Sequence, residues 1–368
     1  MATLKIDRKS LLEGLEAVVN AISTRATHPV LGMFFLSCQE GTLTIRGFDL
    51  TLGIEYRLPI GGQESLSFTL PRLVVDLISQ LSSEFIELEI ETEENGFIHT
   101  LKTDKTQTKI HGLCAEDYPD FPTIPSDIDP VTFPTDVFVS ACKRLSHAAS
   151  TEATKQILCG INIKSDGNKL KLAATDGHRL AWIVEDAEID FCSQTFNVSG
   201  LSEIAKIAKQ TLEETILLSF FDDSLFAQIG NNCSIYSRML TGGYPEYENL
   251  IPQKFEETVT LQRSEFLSAL RYVDTLKTIQ VSLNITSYEM EIEGIAIDKG
   301  TIRIQIDCLA DVKTERLLLN TKYLMDGVRF LEGDEITLKF NGAIRPVVLF
   351  SSTHPNSQYL LMPILQKA

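Results

Sequence analysis

LKIDRKSLLEGLEAV occupies residues 4–18, and its pattern returns twice, as VTFPTDVFVSACKRL at 131–145 and VTLQRSEFLSALRYV at 259–273. In each copy a short alternating segment suited to a strand runs into a stretch whose apolar residues recur every three or four positions. That change of period predicts a strand followed by an amphipathic helix. The copies start 127 and 128 residues apart, so the chain reads as one supersecondary unit used three times. A second helix follows a strand end in each unit: FTLPRLVVDLISQL from Phe68, FNVSGLSEIAKIA from Phe196 and LLLNTKYLMDGV from Leu317. Pro71, Ser199 and Asn320 stand at equivalent places and are residue types that suit a helix start.

Strand-like segments recur after these helices, IELEI from Ile86, ILLSF from Ile216 and ITLKF from Ile336, with the alternation of antiparallel sheet. The fold class expected is α+β: three repeated domains of antiparallel strands with two helices each. Proline-rich FPTIPSDIDP (121–130) and IPQKFEE (251–257) interrupt the pattern and set the domains at 1–125, 126–253 and 254–368.

Composition excludes several function classes. Of 368 residues, 43% are apolar and 23% charged, a balance that argues against disorder. No apolar run reaches the roughly 18 to 20 residues that span a bilayer, and the N-terminus carries no signal-like apolar core, so a cytoplasmic protein is expected. The seven cysteines are scattered, with no CxxC pair, which points to reduced thiols rather than a zinc site or a disulfide framework. The net charge of −17 opposes nucleic-acid binding. Its distribution changes that reading: the six predicted helices (7–25, 71–83, 136–150, 200–214, 264–279 and 320–333) hold twelve basic and twelve acidic residues, so all of the excess lies outside them. A neutral helical face could approach DNA where an acidic sheet could not.

LKLAATDGHRLAWIV, residues 170–184, places Asp176, His178 and Arg179 within four positions. An acid–histidine cluster of this kind raises a hydrolase reading, but no nucleophile or metal partner accompanies it. Asp-Gly between two alternating apolar stretches is instead a hairpin signal, since Gly177 accepts a positive φ and Asp176 can bond the turn backbone. Asp49 lies 127 residues earlier in GFDL, with no histidine after it.

The triple repeat, ATDGHRLA (174–181), GYPEYENLIP (243–252) and YLLMPIL (359–365), with STRATHPVLG (23–32) and GTLTIRGFDL (41–50), together resemble the bacterial β sliding clamp family, the processivity subunits of DNA polymerase III. The resemblance covers the whole chain. It implies a DNA clamp fold in a head-to-tail homodimeric ring, with sheets outside and helices inside around duplex DNA. It implies no catalytic activity and no cofactor or metal. The partners implied are double-stranded DNA, the replicative polymerase catalytic subunit, the clamp loader and other proteins bearing Gln-Leu-rich peptides, with no membrane. A divergent clamp paralogue serving a specialised polymerase is the alternative.

By the same resemblance, Leu158, Thr175, Gly177, His178, Arg179, Leu180, Pro245 and Leu250, with Ile344, Leu360, Met362, Pro363 and Ile364, form a peptide-binding pocket. A greasy groove with a few polar hooks suits such peptides, and the flexible Met362 suits several of them. Arg25 stands where the family places a DNA-contacting arginine. Arg72, Lys143, Arg144, Lys206 and Lys209 are candidates because they lie on predicted helices, as do Arg271, Lys277, Lys322 and Arg329. Thr275 and Leu276 match the subunit interface. Lys155 and Gln156 depart from the Arg and aromatic that the family often shows, and Leu365 from its basic residue after Met-Pro-apolar.

Overall fold

The computed structural model describes residues 2–24, 26–62, 65–93, 96–186 and 193–365. Among these residues six α-helices form, α1 Arg8–Val18, α2 Val74–Ser79, α3 Thr135–Leu145, α4 Val198–Thr211, α5 Arg263–Asp274 and α6 Thr321–Phe330. Each falls inside or close to a predicted span, and most stop short of it. Helix α1 starts where it does because Asp7 Oδ1 accepts the Ser10 backbone N–H at 2.8 Å, satisfying a donor the helix cannot. Its buried Leu11, Leu15 and Val18 lie on one stripe. A side chain at Gly14 would come within 2.8 Å of Ile45 and 3.0 Å of Tyr56, so glycine lets the helix lie close to the sheet. Asn320 caps α6 in the same way, accepting from Tyr323 N–H at 3.0 Å.

Helix α2 is the shortest, and the expectation that Pro71 starts it needs correcting. Pro71 ends the strand Leu66–Pro71 and lies opposite Met33, a place a residue without an N–H tolerates at a strand end. The helix begins three residues later without a side-chain cap.

The chain packs as two compact units, Met1–Val139 with Ser199–Met239, and Ser140–Val198 with Leu240–Ala368. The middle sequence repeat is divided between them. In the first unit an eight-stranded antiparallel sheet runs in spatial order Leu66–Pro71, Met33–Gln39, Thr42–Phe48, Leu52–Pro59, Cys233–Arg238, Ser224–Ile229, Thr215–Phe221 and Val131–Pro134. A four-stranded sheet of Ala2–Asp7, Phe85–Glu93, Gly96–Lys102 and Gln107–Leu113 completes it. In the second unit a nine-stranded sheet runs Gln194–Asn197, Gly160–Asp166, Lys169–Thr175, Arg179–Asp186, Ser357–Leu361, Val347–Phe350, Glu335–Phe340, Glu257–Gln262 and Leu309–Asp311. Its smaller sheet runs Gly300–Asp307, Glu289–Ala296, Gln280–Ile285 and Arg316–Asn320.

Each large sheet is therefore a fusion of two repeats. In the first unit, Leu52–Pro59 of the first repeat pairs with Cys233–Arg238 of the second. In the second, Arg179–Asp186 of the middle repeat pairs with Ser357–Leu361 of the last. The strand bearing the Asp-Gly turn thus meets the C-terminal strand directly.

Candidate functional site

The turn at 176–178 joins the strands Lys169–Thr175 and Arg179–Asp186. Asp176 Oδ1 accepts the backbone N–H groups of His178 at 2.9 Å and Arg179 at 3.0 Å, and Gly177 has φ +93°. Thr175 Oγ1 accepts the Gly177 N–H at 3.1 Å and donates to the Arg179 carbonyl at 2.5 Å. The first repeat builds its turn alike: Asp49 Oδ1 accepts Thr51 N–H at 2.9 Å and Leu52 N–H at 2.7 Å. Asp176 is a turn residue, with its second oxygen on Arg179 Nε at 3.0 Å.

Alternate residues of the following strand face opposite sides of the sheet. Leu180 lies opposite Leu360, and the two join Ala173, Trp182, Tyr247 and Val348 in one apolar cluster, with Tyr244, Ile251 and Phe255 packed against it. Arg179 goes the other way, which corrects its placement as a side chain of the same wall. Its Nη1 binds Asp326 Oδ2 on α6 at 2.8 Å and Tyr359 Oη at 3.4 Å, and its guanidinium lies 4.2 Å from the Tyr323 ring centre. Burial opposes its charge, and Tyr359, Asp326 and Asp176 outweigh that to raise its pKa. The period-2 rule applied to Arg179 and Leu180 separates them without coordinates. The same rule finds Trp182, two residues from Leu180, which the motif reading passed over.

Around the cluster stand segments each held by a specific polar contact. Met362 N–H donates to the His178 carbonyl at 3.0 Å, and Ile364 N–H to the Leu318 carbonyl at 2.8 Å, so the tail is fixed at two points. The short helical turn Tyr247–Leu250 is tied to the sheet by Glu248, whose Oε1 lies 2.9 Å from Lys171 Nζ. The loop after Glu335–Phe340 is pinned by Glu257, which accepts Gly342 N–H at 2.8 Å. On these segments Leu250, Ile344 and Met362 expose 58%, 66% and 42% of their surface, unusual for large apolar side chains that serve only packing. Pro245, Gly177 and His178 are exposed, Leu158 and Ile364 half-buried, and Pro363, Thr175, Leu180 and Leu360 buried. The resulting surface is an apolar floor with apolar side chains left open on the segments that border it. Lys171, Glu248 and Glu257, which hold those segments, lie within quoted stretches, but their partners are distant in sequence, so nothing in the sequence assigns them this role.

The basic candidates divide. Lys143, Lys206 and Lys209 are exposed on helices, with Lys206 also 3.3 Å from Glu203. Arg72 is exposed just ahead of α2, its Nη1 on the carbonyls of Val19 at 3.3 Å and Ile22 at 3.4 Å. Arg144 is a correction: its Nε donates to the Phe330 carbonyl at 3.1 Å, its guanidinium lies 4.8 Å from the Phe330 ring centre, and Glu332 is its ion-pair partner at 3.5 Å. A guanidinium committed in this way is not free for a phosphate. Arg25 lies outside the described residues. Thr275 caps α5 and is exposed, and Leu276 is half-buried. Beside them Tyr272 and Ile279 are 60% and 78% exposed, apolar neighbours that the sequence reading did not single out.

Three family models match the chain end to end: DNA polymerase III beta subunit, N-terminal domain, over 2–122; central domain, over 132–246; and C-terminal domain, over 248–365. A beta sliding clamp of Synechocystis is 30% identical across 97% of both chains. The solved DNA polymerase sliding clamp of Bacillus subtilis superposes with a TM-score of 0.91 at 24% identity, covering 99% of each chain. The DNA polymerase III beta chain of Streptococcus pneumoniae does so with a TM-score of 0.92 at 22% identity over the full length of both.

Proposed function

The chain belongs to the DNA polymerase III beta subunit family and is a DNA sliding clamp, and from that membership we propose that two copies close head to tail into a ring around duplex DNA. The observation that carries this is the repeated sheet joint. Within the chain, the fourth strand of one repeat pairs with the last strand of the next repeat twice, Leu52–Pro59 with Cys233–Arg238 and Arg179–Asp186 with Ser357–Leu361. The equivalent strands left over are Gly300–Asp307 in the third repeat and Gln107–Leu113 in the first, and each is the edge of its sheet. An unpaired edge is a template for another strand. Pairing these two between copies, in both directions, repeats the internal joint and closes six repeats without a free end. Exposed Tyr272, Ile279, Ile295 and Ile297 on the third repeat supply apolar surface for the same contact.

Such a ring holds DNA by topology. Its inner contacts, for which Arg72, Lys143, Lys206 and Lys209 and the undescribed Arg25 are the candidates, need only be weak phosphate contacts that permit sliding. This reconciles a net charge of −17 with a DNA-associated role. The apolar site around Leu180, Leu360 and Met362 would receive the Gln-Leu-rich peptides of the polymerase catalytic subunit, the clamp loader and other DNA-processing proteins in the bacterial cytoplasm. The clamp itself contributes no catalysis; its three sequence repeats, 1–125, 126–253 and 254–368, act as the ring's domains.

The test is topological. The protein is loaded with a clamp loader and ATP onto a nicked circular duplex, which is then linearised. Retention on the circle and loss from the linear form is the expected result, whereas equal retention on both would rule out encirclement.

A further inference from the structure

Beneath the sheet, the turn that carries His178 is wired to α6. Asp176 holds the turn's backbone N–H groups with one carboxylate oxygen and Arg179 Nε with the other. Arg179 passes to Asp326 Oδ2 at 2.8 Å. Asp326 is shared, because its Oδ1 lies 3.6 Å from Arg329 Nη1. Arg179 and Asp326 have side chains only 7% and 12% exposed, while that of Arg329 is 46% exposed. Lys322, Asp326 and Arg329 stand at i, i+4 and i+7 on α6, so two solvent-facing cations flank the one acid that reaches inward.

We propose that Asp326 is a positioning residue for the peptide pocket, and that a phosphate-bearing duplex engaging Arg329 tightens the pocket through it. This rests on the reading of the site around Leu180 and Met362 as a peptide pocket. Asp326 touches no peptide; it acts through Arg179. When Arg329 turns to a phosphate, the charge of Asp326 is no longer divided, and its attraction for Arg179 strengthens in surroundings that screen it little. Arg179 in turn fixes Asp176 and the 176–178 turn, whose His178 carbonyl receives the Met362 N–H. A pocket whose turn is already held loses less freedom on binding. The coupling is reciprocal: a bound peptide raises affinity for the duplex by the same factor.

The measurement is fluorescence anisotropy of a labelled Gln-Leu-rich peptide with the full-length protein, with and without a short blunt duplex. For the native protein the duplex should tighten peptide binding about fivefold. Arg329→Ala, an exposed change, should bind peptide without duplex as tightly as the native protein does with it, and show no response to duplex. Asp326→Asn should weaken the peptide about tenfold and abolish the response, with Asp326→Glu recovering part of both. A merely structural Asp326 would lower peptide affinity and leave the duplex response in place. If native protein binds peptide but the response is absent, or persists in Arg329→Ala, the relay is wrong and the pocket stands. If native protein binds no such peptide, the pocket reading itself fails.

Discussion

At the scale of single residues, the two aspartate turns make an internal control. Asp176 is followed by Gly177 at φ +93°, whereas Asp49 is followed by Leu50 at φ +75°. A side chain in that left-handed region costs on the order of 1 kcal/mol or more, and Leu50 is 47% exposed, so it gains little from packing in return. Leu50→Gly should therefore stabilise the protein by about 0.5 kcal/mol after the extra chain entropy of glycine is counted, and an unchanged or lower melting temperature would contradict this. A second residue-level consequence concerns acid. His99 is fully buried, with the Phe68 and Phe97 rings 5.3 and 5.8 Å away. Burial pushes its pKa down to about 4, and does the same to His147 against the partly opposing field of Asp326. With both native pKa values below the ordinary imidazole value of 6.5, the unfolded chain binds more protons between pH 6.5 and 4. Stability is thus intact above pH 6.5 and lost as pH falls through that window, by roughly 3 kcal/mol for His99 alone. His99→Phe should flatten part of that slope in melts recorded from pH 7 to pH 4; an identical slope would show that His99 does not supply it. No sequence signal marks either histidine, because their burial also depends on residues as distant as Phe68 for His99 and Tyr359 for His147.

At the scale of elements, the helix–sheet alternation was legible because each amphipathic stripe is local, as Leu11, Leu15 and Val18 are in α1. The extent of α2 was not, since Pro71 fits a helix start and a strand end equally well and only its pairing with Met33 decides. The site shows the same limit. The Asp-Gly turn and the Met362 tail are visible as motifs, but the strand pairing that joins Leu180 to Leu360 is a contact across 180 residues of sequence. The matching place in the first unit is filled differently. Gly53 stands where Leu180 does, 127 residues earlier, and a side chain there would come within 2.9 Å of Phe121. That place is already filled by the chain's own ring. The tail is the element most exposed to a direct test. It is held by Met362 to His178 and by Ile364 to Leu318, and it contributes no strand to either sheet core. Deleting Met362 to Ala368 should abolish Gln-Leu-rich peptide binding in an anisotropy titration while sedimentation still reports a dimer; retained peptide affinity would remove the tail from the pocket.

At the scale of the whole molecule, the decisive feature is a joint used twice and left open once. Each internal joint buries one edge of a repeat against its neighbour, so two of the three sheet interruptions between repeats vanish within the chain. The two edge strands left over at that joint, Gln107–Leu113 and Gly300–Asp307, span seven and eight residues, and edges of that length invite association. Beside the second of them, Tyr272, Ile279, Ile295 and Ile297 are more than half exposed, a concentration of apolar side chains that a monomer would leave in water at a cost of ~25 cal/mol per Å². Carboxylates placed there oppose a dry interface without disturbing the core, because none of these side chains is buried in the single chain. Tyr272→Asp combined with Ile279→Asp should therefore leave the melting temperature within about 2 °C and give a monomer in sedimentation velocity where the proposed ring gives a dimer. The same variant should lose retention on circular DNA, since a ring with one type of joint missing has two gaps through which the duplex escapes. A variant that remains dimeric would place the subunit contact elsewhere than on this edge, and one that is monomeric yet still retained on circles would separate DNA holding from ring closure.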